Sequence, residues 1–314
     1  MPASWPDLNH ARIGETVKSL HMWTQIVGKF RTAQTPWINH SWQVPLYVNA
    51  RGFTTSLVPG QAEGFEVQFD FIDHLLSVTC TAGGRETMML ENQSVADFHH
   101  RFSTMLAAVG APTTFHGSPN EVPDPVPFSE QTTLGVYNTD AAQALFRALV
   151  NTDRVFNRFR SGFLGKVSPV HFFWGSFDLA VTRFSGREAP LHPGGIPALP
   201  DPITREAYSH EVSSAGFWPG GDSFPEAIFY SYAYPTPDGF SAMKVKPEGA
   251  RFDKELGEFV LPYSVVQTAD DADAVLMEFL ETTYRAAADL AKWDADALEC
   301  ETGAPRKVRP IHAG

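Results

Sequence analysis

The stretch SPVHFFWGSFDLAVTRFSGR, residues 168–187, carries more polar and charged side chains than a buried strand requires. Its β-branched and aromatic composition predicts extended structure, yet a His, an Asp and two Arg stand among the aromatic residues. Read as one strand, it places His171 and Arg183 on one face and Asp178 on the other, because alternate side chains share a face. Buried polar groups need partners, so the stretch predicts a pocket.

The composition is that of a folded protein with a large aromatic core. Of the 314 residues, 43% are hydrophobic and 19% are charged, and the chain contains 24 Phe and 7 Trp, which excludes intrinsic disorder. The net charge of −12 and the lack of a long Lys/Arg run argue against a nucleic-acid partner. Neither a membrane span nor a signal peptide is predicted, so a cytoplasmic, soluble protein is expected. Cys80 and Cys300 predict no disulfide framework and no zinc site.

The elements around this stretch recur in the first half of the chain. One helix is expected to end at Gly28 and a second at Gly165, each followed by Lys. Trp42 to Arg51 and Trp174 to Arg183 then show the same nine-residue step within a predicted strand, followed by further antiparallel strands and a helix. The order predicts an internally duplicated α+β protein in which antiparallel sheets pack with helices. A chance match is the alternative.

The repeat sets the expected domain boundaries. Residues 188–204, rich in Pro and Gly, are too irregular for a strand or helix and predict a loop that covers the pocket. The expected segments are a first α+β repeat at 1–116, a Pro-rich linker or wrapping loop at 117–138, a second repeat with the pocket at 139–299, and a polar tail at 300–314.

Four residues are candidates for catalysis. His171 or His210 would serve as general base, with Asp178 or Glu211 as its carboxylate partner. His171, His210 and Glu211 could instead bind one divalent metal ion, since imidazole and carboxylate suit zinc, iron or manganese. No HExxH, HxH or HxxxH spacing supports the metal, and the alternative for each His is a hydrogen-bonded structural role.

Arginine and tryptophan residues nearby are candidates for binding a substrate. Arg183 and Arg187 present paired donors that suit a carboxylate or phosphate, and Trp174 and Trp218 would supply aromatic walls. The alternative is that these arginines form structural ion pairs with neighbouring acidic residues. Nucleotide-binding glycine motifs and a GxSxG nucleophile elbow do not occur.

The segments LHMWTQIVGKF, NHSWQVPLYVNARGFTTS, SPVHFFWGSFDLAVTRFSGR and SHEVSSAGFWPGG identify a family resemblance. From Trp5 to about Trp293, the chain resembles an uncharacterised bacterial family of about 300 residues, a domain of unknown function. The resemblance implies one full-length unit and brings no activity, cofactor or catalytic residue to this chain. It places the candidate residues in the signature segments: His171, Trp174, Asp178, Arg183, His210, Glu211 and Trp218.

Two functions follow from these residues. The first is an enzyme that acts on a small polar or anionic organic molecule in a His/carboxylate/Arg pocket of the second half. The second is a non-catalytic protein that binds a small molecule or acts as a scaffold, with the polar groups satisfying one another. A water-accessible acid–base pair beside open space would favour the enzyme, whereas a network filled by protein donors and acceptors would favour the second function.

Overall fold

The computed structural model describes residues 5–309. Within this range, helices pack against two antiparallel sheets, one of five strands and one of six, so the protein is α+β as predicted. A single buried hydrophobic cluster runs through both halves of the chain. No helix in the described range is long and apolar enough to cross a membrane.

The first half consists of a long helix, a sheet whose strands follow one another in chain order, and a second helix. The elements are α1 (His10–Gln34), β1 (Tyr47–Val48), β2 (Gly52–Thr54), β3 (Phe65–Asp70), β4 (Leu75–Cys80), β5 (Arg85–Met89) and α2 (Val95–Ala108). A short 3-10 helix, Asn39–Ser41, precedes β1.

The second half begins with a helix and builds a sheet in the order β6-β7-β8-β9-β11-β10. Its elements are α3 (Thr139–Arg160), β6 (His171–Phe173), β7 (Asp178–Glu188), α4 (Asp201–Ala207), β8 (His210–Trp218), β9 (Ile228–Tyr234), β10 (Arg251–Asp253), β11 (Glu258–Pro262), α5 (Tyr263–Gln267), α6 (Ala272–Leu290) and α7 (Ala295–Leu298). Helix α4 interrupts the segment that was expected to be loop, because Pro200 and Pro202 suit the start of a helix.

Side-chain caps fix where the long helices begin. The Ser94 hydroxyl accepts from the backbone N–H of Asp97 at 3.0 Å and donates to the Asp97 carboxylate at 2.6 Å, which starts α2. Asn9 and Asn138 cap α1 and α3 through their side-chain oxygens. The expected end of α1 at Gly28 is wrong, since the helix continues to Gln34.

Gly28 serves packing instead of helix termination. A Cβ atom at Gly28 would lie 2.2 Å from the indole nitrogen of Trp174, so the missing side chain lets this ring rest against α1. The same indole donates to the Val44 carbonyl at 2.9 Å. Trp174 therefore holds the second-half sheet against the first helix.

The two halves share the order of helix, antiparallel sheet and helix, but not the finer correspondence that the duplication predicts. Trp42 lies before β1, whereas Trp174 lies after β6, and Arg51 precedes β2, whereas Arg183 lies within β7. The matched residues therefore do not occupy equivalent places, because residues 168–187 form a hairpin and not one strand. The duplication itself stays a prediction.

A backbone bridge joins the two sheets. Leu46 and Phe172 exchange two backbone hydrogen bonds of 2.9 Å, which joins the chain before β1 to strand β6. Helices α3 and α6 cover one face of the six-stranded sheet. Residues from the connecting loops lie over its other face, which carries the candidate site.

Candidate functional site

The turn between β6 and β7 decides which side chains share a face. Phe173 pairs with Asp178 and His171 pairs with Ala180 across the hairpin, and Phe177 in the turn has a left-handed φ of 62°. Partners across a strand pair lie on the same face, so His171 and Asp178 share a face. The predicted opposition of these two residues is wrong, because it assumed an unbroken strand.

Strand β7 separates two environments. Asp178 and Thr182 lie on the face that the loops cover, and Arg183 lies on the face that packs against helices α3 and α6. The Arg183 guanidinium carbon lies 3.4 Å from the ring centre of Phe159 and 4.4 Å from that of Tyr284. Arg183 is 1% exposed, so the predicted substrate anchor cannot reach a ligand.

Arg187 and Glu211 also serve the helix face. The Arg187 side chain donates to the Glu211 carboxylate at 2.7 Å and to the Ala291 carbonyl at 2.7 Å, at the end of α6. The Ser185 hydroxyl donates to the same Glu211 oxygen at 2.8 Å. These bonds tie the ends of β7 and β8 to a helix end, which is a structural role.

The other predicted residues lie apart from one another. The His210 ring contacts His40 at 5.7 Å, and Trp218 contacts Phe224 at 5.9 Å. His171 lies beneath Trp42, 5.6 Å between ring centres. Within residues 5–309, no three His, Cys, Asp or Glu side chains are placed to hold a metal ion, so the predicted ligand set of His171, His210 and Glu211 does not form a metal site.

Asp178 is the predicted residue around which polar groups converge. It is 6% exposed, and its carboxylate accepts from the Ser176 hydroxyl at 2.8 Å and from the Tyr230 hydroxyl. Burial raises the pKa of Asp178, and these two hydrogen bonds oppose the rise. Tyr230 comes from β9, two strands away in the sheet.

Gly216 on the intervening strand makes this contact sterically feasible. Gly216 pairs with Ala180 on one side and Tyr230 on the other. A Cβ atom at Gly216 would lie 2.2 Å from the Tyr230 ring and 2.3 Å from its hydroxyl. The tyrosine therefore lies across the glycine to reach Asp178.

Further tyrosines line the same face. The hydroxyls of Tyr208 and Tyr232 lie 2.8 Å apart, and those of Thr182 and Ser214 lie 2.9 Å apart. Burial raises the pKa of Tyr208 to about 12 and that of Tyr232 well above its usual value. Both tyrosines nevertheless keep part of their surface exposed, so water reaches part of this face.

Glu121 reaches this face from the Pro-rich loop. The side chain of Gln25 accepts from the Asn120 N–H at 2.8 Å and donates to the Asn120 carbonyl at 2.7 Å, which fixes the loop on α1. The Glu121 N–H donates to the Ala198 carbonyl at 3.2 Å. A Cβ atom at Gly175 would lie 2.0 Å from the Glu121 carboxylate, so this glycine leaves room for the acid.

Glu121 and Glu258 each lie near enough to Asp178 for its charge to act on them, with little compensating positive charge. Burial and the neighbouring Asp178 raise the pKa of Glu121 to about 7 and that of Glu258 to about 8. Lys29 lies close enough to Glu121 to oppose its shift, but burial lowers the pKa of Lys29 to about 8. We name this group the polar cleft; its residues are Glu121, Asp178, Thr182, Tyr208, Ser214, Tyr230, Tyr232 and Glu258.

The sequence predicted one member of the cleft, Asp178. Tyr230 and Tyr232 alternate in IFYSYAY, residues 228–234, and this period of two could have placed both on one face. Glu121 follows no periodic pattern, since it lies in a loop. A separate recess of about 460 Å³ between β1 and α3 includes Val48 and Asn151 in its lining and contains no residue of the cleft.

Comparison with known proteins places nearly the whole chain in one family. A model of a family of unknown function, DUF5996, matches residues 5–300. The chain belongs to this family. The match confirms the predicted resemblance to a full-length domain family, and it assigns no activity. No curated protein and no solved structure matches the chain significantly.

Proposed function

We propose that this member of the family is an enzyme that acts on a small polar organic molecule in the polar cleft, with Glu121 and Asp178 moving protons. The observation that carries the proposal is the Glu121 carboxyl, whose pKa of about 7 arises beside Asp178 at a partly exposed position. A general acid or base is most effective when its pKa lies near the working pH. Two carboxyls whose charges act on each other can divide the acid and base roles.

Ser176 connects the two carboxyls at the entrance of the cleft. Its side chain is exposed, its hydroxyl lies 2.8 Å from Asp178, and it also hydrogen-bonds to Glu121. Tyr230 holds Asp178 from the opposite side. A substrate that displaces the serine contact would meet two neighbouring carboxyl groups, of which Glu121 has a pKa near neutral pH, as proton transfer requires.

The charge of the cleft narrows the substrate class. Within the described residues, Lys29 is the cation whose charge acts on Glu121, and it is 7% exposed and donates to the Asn120 side chain. The arginines that were expected to hold an anionic group, Arg183 and Arg187, contact the helices instead. Buried carboxyls repel anions, so the proposed substrate is a neutral or positively charged polar molecule.

A non-catalytic binding protein is the second candidate. The hydroxyl pairs Tyr208–Tyr232 and Thr182–Ser214 satisfy one another, and clefts walled by aromatic rings with a few fixed polar groups are common ligand sites. In this candidate the raised pKa values are a consequence of burial and carry no chemical step.

Conversion of a compound panel separates the two candidates. The wild-type protein would be incubated with neutral and cationic metabolites, namely amino acids, amines and sugars, and followed by proton NMR. We expect one class to be converted, and Glu121→Gln and Asp178→Asn to lose activity by roughly a hundredfold or more while retaining the fold. Glu130→Gln, at an exposed position on the same loop, should match the wild type.

Two results would count against the enzyme. Binding of a panel compound without any conversion by the wild type would support the second candidate. Full activity of Glu121→Gln would remove the proposed acid–base pair. Carbon-13 NMR titration of the Glu121 carboxyl gives a test that needs no substrate, and a pKa below 5 would contradict the proposal.

A further inference from the structure

A second polar cluster, outside the polar cleft, is positively charged. It consists of Arg31 on α1, Arg160 at the end of α3, and His171 on β6. Arg31 is 7% exposed and His171 is 1% exposed. The Tyr47 ring centre lies 5.7 Å from that of His171 and 5.8 Å from the Arg31 guanidinium carbon, so these groups adjoin one another. Burial and the charges of both arginines lower the pKa of His171 to about 3.

Arg31 lacks the partner that a buried charge requires. Its terminal nitrogen donates to the Thr55 carbonyl, and its guanidinium also hydrogen-bonds to the neutral Tyr47 hydroxyl. The Tyr47 hydroxyl is the ionisable group that acts on it, and no described carboxylate does. A buried charge without an opposite charge is strongly unfavourable, so these contacts leave Arg31 uncompensated.

The three side chains also share unused hydrogen-bonding atoms. Arg31 Nε, Arg160 Nε and His171 Nε2 are all buried without a hydrogen-bond partner in the structure. Both Nε atoms are donors, and Nε2 of a neutral imidazole donates in the tautomer that carries its proton there. Buried donors without acceptors are rare in folded proteins, and here three of them accompany two permanent positive charges. Arg160 donates to the Asn157 side chain at 2.7 Å and the Asp153 carboxylate partly offsets its charge, so Arg31 is the uncompensated cation of the cluster.

We infer that Arg31, Arg160 and His171 form a binding site for a small inorganic oxyanion such as phosphate. An oxyanion supplies the acceptors that the three nitrogens lack and the negative charge that Arg31 lacks. Tyr47 and Arg160 are partly exposed, which gives the ion a route from solvent between β1 and the end of α3. The site is distinct from the polar cleft, whose carboxyls repel anions, and it does not depend on the proposed enzymatic activity.

Titration with sodium phosphate tests the site. Isothermal titration calorimetry at pH 7, with ionic strength held constant by sodium chloride, should show saturable binding of one equivalent to the full chain. Arg31→Gln and Arg160→Gln should each weaken phosphate binding at least tenfold. Arg12→Gln, a surface arginine 67% exposed and paired with Asp7, should bind as the wild type does.

Several results would overturn the inference. One is the absence of saturable phosphate binding to the wild type. Another is equal phosphate binding by the wild type and the Arg160→Gln variant. Arg160 is partly exposed at a helix end, so its variant keeps the test valid if Arg31→Gln fails to fold. Phenyl phosphate that binds as tightly as phosphate would contradict an enclosed site for a free ion, because His171 is almost fully covered.

Discussion

The two faces of strand β7 carry charged groups of opposite sign in opposite surroundings. On the helix face, Arg183 is enclosed by aromatic rings and donates to the Phe159 carbonyl at 2.5 Å. On the loop face, Asp178 meets hydroxyl groups and two further carboxyls, Glu121 and Glu258, and several of its neighbours are partly exposed. The strand therefore joins a dry structural interface to a wet polar one.

This difference indicates which face of the strand can bind a ligand and transfer a proton. A cation enclosed by ring faces gains from cation–π attraction and packing, but it leaves no space for a ligand. Carboxyls that face water and one another keep unsatisfied capacity to accept or donate a proton. The two faces of one strand thus serve different purposes: the helix face stabilises the fold and the loop face carries the candidate site.

Removal of Arg183 should have the largest effect on stability. Arg183→Ala leaves a cavity between Phe159 and Tyr284 and an unpaired carbonyl, so we expect the free energy of unfolding to fall by roughly 3–5 kcal/mol. Arg187→Ala, which removes an arginine 48% exposed from its pair with Glu211, should cost about 1 kcal/mol or less. Denaturant unfolding of both variants makes the comparison, and equal losses in the free energy of unfolding would mean that the aromatic enclosure of Arg183 adds nothing to stability.

A methyl group at Gly216 should damage the loop face specifically. The new Cβ would overlap the Tyr230 ring, so Gly216→Ala should destabilise the fold by about 1–3 kcal/mol and break the Tyr230–Asp178 hydrogen bond. Combining it with Tyr230→Ala should remove the steric part, so the two losses should not add. A thermodynamic cycle of the two single variants and the double variant measures this coupling, and simple additivity would show that the ring does not lie over the glycine.

The pH dependence of stability should arise from carboxyls on the loop face and not from groups on the helix face. Glu121 and Glu258 titrate near 7 and 8 when folded, whereas unfolded glutamates titrate near 4.3. Between those values the folded chain binds more protons, so these groups lower the free energy of unfolding as pH rises from about 5 to 8. Relative to wild type, the free energy of unfolding of Glu121→Gln and of Glu258→Gln should increase by on the order of 1–2 kcal/mol across that pH range.

Urea unfolding at pH 5, 6.5 and 8 checks this expectation. Glu130→Gln, exposed on the loop that carries Glu121, is the matched control and should follow the wild type at each pH. A constant difference between wild type and Glu258→Gln at all three values would show that Glu258 is not desolvated.

The sequence predicted the regular parts of the fold because they repeat a local pattern. The buried residues Phe98, Phe102 and Met105 recur at helical spacing behind the Ser94 cap, and α2 follows that pattern. The ends of α1 were not predictable in the same way, since Gly28 is a usual helix terminator and its role here depends on Trp174, far away in the chain.

The candidate site depends more strongly on such distant contacts. Asp178 stood out as an acid among aromatic residues, but its partner Tyr230 lies 52 residues away. Glu121 reaches the cleft only because Asn120 is bonded to Gln25 on α1. The prediction that Arg183 binds a substrate is wrong because its surroundings, Phe159 among them, come from helices that strand parity alone does not locate.

The backbone pair Leu46–Phe172 affects how the two halves of the protein should behave when they are expressed as separate fragments. Each half ends its sheet at this junction, so a chain cut near residue 138 would leave unpaired N–H and C=O groups beside β1 in one fragment and β6 in the other. Exposed sheet edges recruit strands from other molecules. We therefore expect the separate halves to aggregate when expressed alone and to recover solubility when expressed together.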